Sequence, residues 1–79
     1  MKLLTETNET INEVMQKNYN ACYVITEYFG RYKLTTLSNY ASIVRNSRLM
    51  ITIEAESLEE AIEIAKQQAE NSGKYLILG

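Results

Sequence analysis

The sequence predicts a single α+β domain. It is a mostly antiparallel sheet of about four or five strands packed against one or two helices, in the order αβββ(β)αβ. Three observations carry this prediction. Between Arg48 and Ala55, Leu49, Ile51, Ile53 and Ala55 alternate with Met50, Thr52 and Glu54, the pattern of a half-buried strand. From Ser57 onward the apolar period lengthens to that of an amphipathic helix, through Leu58, Ala61, Ile62, Ala65 and Ala69. Tyr75 to Leu78 is an unbroken apolar run, which suits a strand buried on both faces.

The 79 residues suffice for one domain with a small core. Proline is absent, and no run approaches the ~20 apolar residues that cross a membrane. Lys2-Leu3-Leu4 is too brief for a secretory signal, and polar residues follow at once. Cys22 is the one cysteine, so no internal disulfide forms, and a reducing cytoplasm is the expected compartment.

In chain order, Ile11, Val14 and Met15 sit at helical spacing, with Leu4 one heptad earlier. A helix is expected over 8–17, capped by Thr7 or Asn8, with Glu9 and Glu13 suited to its positive end. Ala21 to Phe29 is rich in aromatic and β-branched residues and reads as a strand. Gly30 then supplies a positive φ for a hairpin turn. On the return strand Tyr32, Leu34 and Thr36 alternate with Arg31, Lys33 and Thr35, which gives one polar, basic face. Residues 37–47 fit two descriptions. Leu37, Tyr40, Ala41 and Val44 share a helical face, whereas the bracketing Ser-Asn and Asn-Ser pairs leave a run from Tyr40 to Arg45 whose length favours a strand. The strand is the expectation taken. Ser57 and Glu60 form a capping box ahead of the main helix, and Asn71-Ser72-Gly73 is a left-handed stop signal after it. A strand, a crossover helix and a second strand favour a parallel, right-handed pair.

Catalytic chemistry is sparse. Without His or Asp, His-based acid–base catalysis, the usual triads and most metal sites are excluded. Cys22 has no histidine partner and falls in a strand pattern, where an inert buried thiol is the ordinary case. Glu54, Glu56, Glu59, Glu60 and Glu63 read as a solvated charge run, and three glycines at 30, 73 and 79 make no phosphate-cradling loop. No enzyme, cofactor or metal is expected.

Charge is unevenly spread. Residues 17–48 carry Lys17, Arg31, Lys33, Arg45 and Arg48 against Glu27 alone, together with every tyrosine except Tyr75. The last third is acidic. Tyr28, Arg31, Tyr32, Lys33, Tyr40, Arg45 and Arg48 are therefore the candidate binding residues. As a nucleic-acid site, the cations would meet phosphates while the tyrosines stack on bases. As a protein-docking site, the same residue types are those that anchor interfaces. The competing structural reading makes the tyrosines sheet residues and the cations solubilising charges. A homodimer is a third expectation, since a small sheet has edges to cover.

Two resemblances bear on the choice. The order of helix, strands and helix resembles the double-stranded-RNA-binding domain, whose last helix begins much like Ala55-Glu56-Ser57-Leu58-Glu59-Glu60-Ala61. That family carries phosphate-contacting lysines where this chain has Glu59 and Glu60, and glutamates there would repel RNA. Ile53 to Ala61, continuing to Ile64-Ala65, resembles the strand-to-helix segment of small type I-F anti-CRISPR proteins of phages, and Tyr23 to Glu27 is similar to their first strand. The match covers about a fifth of the chain, and the N-terminal helix departs from it. This resemblance implies an inhibitor that binds a bacterial defence ribonucleoprotein, and it carries over no binding residue. The expected function is thus a non-enzymatic protein that docks on a protein partner, with nucleic-acid binding by segment 17–48 as the alternative.

Overall fold

The computed structural model describes residues 1–17, 21–41 and 50–79. The chain forms β1 (Lys2–Leu3), α1 (Ile11–Lys17), β2 (Cys22–Tyr28), β3 (Arg31–Thr36), α2 (Leu37–Tyr40), β4 (Ile51–Ile53), α3 (Leu58–Asn71) and β5 (Tyr75–Leu78). The strands make one sheet in the order β1-β5-β2-β3-β4. Pairing is antiparallel except between β2 and β5, which run parallel. The α+β class and the mostly antiparallel sheet agree with the sequence. The parallel pair is differently composed: β4, α3 and β5 are consecutive, but β3 and β2 lie between the two strands. Strand β5 takes the interior position because Leu76 and Ile77 are apolar toward both faces, and its neighbour β2 offers the same through Val24 and Ile25.

Two apolar clusters lie on opposite faces of the sheet. On one, Ile25, Leu34, Ile53 and Leu76 pack under Ala61, Ala65 and Ala69 of α3. On the other, Cys22, Val24 and Ile77 pack under Val14 of α1 and Leu37 of α2. Each large aliphatic side chain buried in this way contributes about 1.5–3 kcal/mol.

The termini of α3 follow the sequence signals. Ser57 Oγ accepts from the Glu60 amide at 3.2 Å. The reciprocal half of the box differs: the Glu60 carboxylate accepts from the amide of Glu56, at 3.3 Å, where Ser57 was expected. At the other end Gly73 has φ +63°. Its amide donates to Glu70 O at 3.0 Å, and the Lys74 amide donates to Ala69 O at 2.8 Å, a Schellman closure.

Helix α1 starts later than expected, because the cap is Thr10. Its hydroxyl accepts from the Glu13 amide and the Glu13 carboxylate accepts from the Thr10 amide, both at 3.2 Å. Thr10→Ala is expected to cost about 1 kcal/mol. In a scanning thermal melt that lowers the midpoint by roughly 4–8 °C.

Three expectations are corrected. Leu4 is not on the α1 face: it sits in extended chain after β1 and packs against the α3 cluster, its amide donating to Leu76 O at 2.8 Å. The expected strand over Tyr40–Arg45 does not begin at Tyr40, which ends a helical turn instead. Thr36 caps that turn, accepting from the Asn39 amide at 3.3 Å. The rest of that expected strand, 42–45, lies outside the described residues, as do Arg48 and Leu49 of the next. In β4 the alternation of faces holds, with Ile51 and Ile53 opposite Leu34 and Tyr32 and Thr52 opposite Lys33, but burial departs from it: Met50, just before the strand, is buried and Ile51, on an edge strand, is 59% exposed.

Candidate functional site

The β2–β3 hairpin turns in two residues. Tyr28 pairs with Arg31, and Phe29 and Gly30 between them have φ of 52° and 75°. Two consecutive positive φ values are the mark of a type I′ turn, whose twist matches the strands it joins. Gly30 suits that geometry; Phe29 does not. An L-residue in the left-handed region costs roughly 1–2 kcal/mol, and Asn, Asp or Gly ordinarily stands there. No burial offsets the cost, since Phe29 is 89% exposed. Its ring meets the Tyr28 ring edge-on, with centroids 4.5 Å apart and planes at 72°. Such a contact is worth about 0.5–1.5 kcal/mol and braces the tip.

Strand alternation sorts the neighbouring side chains. Ile25 and Leu34 belong to the α3 face, so Tyr28, Thr26, Arg31 and Lys33 stand on the other, with Thr52 beside Lys33. The basic face read from Arg31 and Lys33 is therefore present. Along β2 the burial falls from complete at Cys22 and Val24 to partial at Thr26 and Tyr28, leaving the hairpin end of this face open. Lys33 Nζ donates to Thr52 Oγ1 at 2.5 Å. Among the described residues, neither Arg31 nor Lys33 has a carboxylate within ion-pair distance. Tyr28, Phe29, Arg31 and Lys33 line a hollow of about 300 Å³.

The other sequence candidates lie elsewhere. Tyr32 faces α3 and packs against its cluster. Tyr40 packs against the opposite cluster from α2. Both serve the core in this arrangement. Arg45 and Arg48 lie outside the described residues. In the sequence pattern Phe29 is the last residue of a strand and not a candidate binding residue. The signal that marks it is an aromatic residue immediately before the hairpin glycine, where turn chemistry calls for Asn or Asp.

Away from the hairpin, Glu9 ties α1 to the sheet. Tyr75 Oη donates to Glu9 Oε2 at 2.7 Å, and Lys17 forms an ion pair with the same carboxylate. The Lys17 ammonium and then the Tyr75 hydroxyl hold the Glu9 carboxyl below its ordinary pKa; the same carboxylate raises those of Lys17 and Tyr75. A lowered carboxyl stabilises the fold above its unfolded-state pKa, and the gain disappears as pH falls through the folded value. The melting difference between wild type and Glu9→Gln is therefore expected to be largest near neutral pH and to shrink on acidification. A difference that grows toward acid would contradict the clamp.

Cys22 is buried, its Sγ 3.8 Å from Val14 O, and burial raises its thiol pKa. Among the described residues no cluster of His, Cys, Asp or Glu is placed to hold a metal ion. In the same set no helix is long and apolar enough to cross a membrane. A larger hollow of about 480 Å³ beside Leu4 and Thr5 sets Lys66 against Glu6 and Glu70. It converges on no reactive group. Compared with known proteins, the chain matches no family model, no curated protein and no solved structure.

Proposed function

We propose that the protein is a non-enzymatic binding domain that docks on a protein partner through the β2–β3 hairpin. One observation carries this reading: Phe29 is presented almost fully exposed at a turn position that disfavours it. Strain of this kind is retained where a side chain has work that turn stability does not supply. Aromatic residues and arginine are the usual anchors of interfaces, and Tyr28, Phe29 and Arg31 are gathered here. The narrower version is a cytoplasmic inhibitor of a bacterial defence ribonucleoprotein, as the anti-CRISPR resemblance of Ile53 to Ala65 implies. It is supported by that resemblance alone.

Nucleic-acid binding is the second reading, favoured by the placement of Tyr28, Arg31 and Lys33 on one open sheet face. A tagged pull-down from bacterial lysate, with and without nuclease, separates the two. A protein retained after nuclease by wild type and lost by Phe29→Ala supports docking through the hairpin. Capture that vanishes with nuclease supports the second reading. Retention unaffected by Phe29→Ala removes the hairpin from the interface. Sizing at micromolar concentration tests the homodimer, and a monomer excludes it at that concentration.

A further inference from the structure

We infer that the protein surface received by the hairpin is acidic, an apolar socket for Phe29 rimmed by carboxylates that meet Arg31 and Lys33. This rests on the docking reading above and adds the chemistry of the partner. The hairpin separates its charges by face. Arg31 and Lys33 share the open face with Tyr28, whereas Glu27, the acid of β2, pairs with Tyr32 on the α3 side. Neither cation is neutralised by a described carboxylate, and the Lys33 ammonium is steadied by the Thr52 hydroxyl. Both cations adjoin the hollow that Phe29 borders, so a partner filling it meets apolar and positive surface together.

Charge placement also selects against an extended polyanion. Ile53 pairs with Tyr32, so the turn from β4 into α3 lies at the hairpin end of the sheet. A second hollow, of about 370 Å³, is bordered by both Gly30 and Arg31 and by Glu54 and Ala55. Glu54 and Glu56 are exposed there. A nucleic-acid strand crossing the tip would run past these carboxylates, which repel its phosphates. A compact acidic surface confined to the hollow of Tyr28, Phe29, Arg31 and Lys33 meets no carboxylate in its lining. With the whole chain at −2, the attraction is local, acting within the ~10 Å screening length at 0.1 M salt.

The test is selection of a random dodecapeptide phage library on the intact protein, run in parallel on wild type, Phe29→Ala and the double variant Arg31→Glu/Lys33→Glu. Thermal melts verify that each variant is folded. Wild type is expected to enrich peptides in which Asp or Glu flanks an aliphatic or aromatic residue. The double variant should weaken the best of them by at least about tenfold and select Lys or Arg in their place. Phe29→Ala should enrich none of them. Enrichment that needs Phe29 but shows no acidic bias overturns this inference and leaves the docking reading standing. No Phe29-dependent enrichment, with saturable and salt-sensitive binding of oligothymidylate instead, overturns both. No enrichment and no oligonucleotide binding overturns the acidic socket as well.

Discussion

Phe29→Asn is expected to raise the thermal midpoint of the domain slightly and, if the hairpin docks as proposed, to weaken binding by about thirtyfold or more. The two effects have one cause. Asn adopts the left-handed region with little penalty, so the substitution relieves part of the roughly 1–2 kcal/mol that Phe29 costs at φ 52°. The edge-on contact with Tyr28 is lost in exchange, which returns about 0.5–1.5 kcal/mol. The midpoints of these two ranges leave a net gain of about 0.5 kcal/mol, a rise of roughly 2–4 °C in a domain of this size. Binding moves the other way: a central aromatic anchor commonly accounts for 2 kcal/mol or more, about thirtyfold or greater in affinity. Melting curves and an affinity measurement with the captured partner check both signs. A variant that melts lower and binds as before would show that Phe29 is an ordinary turn residue.

Ala65→Leu is expected to destabilise the domain by about 1–3 kcal/mol, a large share of the ~4–12 kcal/mol typical at this length. Ala61, Ala65 and Ala69 are fully covered and form the line on which α3 meets the sheet. Small side chains let the helix backbone come close to Ile25, Leu34 and Leu76, and extra methylenes at the centre of that line have no space to enter. Urea denaturation measures the loss directly. Unchanged stability would mean that α3 can lift away from the sheet without cost.

Much of this architecture is legible in the residues. The Ser57 cap, the Gly73 stop and the two-sided apolar run of β5 are local signals, and each is found in place. The basic face of β3 is legible for the same reason, because alternation is a property of consecutive residues. What escapes the sequence depends on distant partners. Strand β1 is two residues long, too short for any period, and exists because Leu3 pairs with Ile77 at the other end of the chain. At 37–40 the Thr36 cap wins over the strand preference of the residues that follow. In the candidate site, Tyr32 and Tyr28 look alike on the page. Register sends Tyr32 under α3 and leaves Tyr28 beside Arg31, and the conformation of Phe29 is visible only in the turn itself.

The interior position of β5 constrains the order in which the sheet can assemble. Both neighbours of β5 precede it in the chain, β2 by about fifty residues and β1 by more than seventy. The β2–β3 hairpin can pair through its two-residue turn as soon as it exists, yet until β5 arrives β2 has one unfilled edge beneath Val24 and Ile25. During synthesis that edge is the place where a second nascent chain can add a strand. The edge of β2 is therefore closed only at the last pairing step, when β5 takes its place between β1 and β2. A chain stopped before Tyr75 would be expected to accumulate as aggregate, with the hairpin already formed.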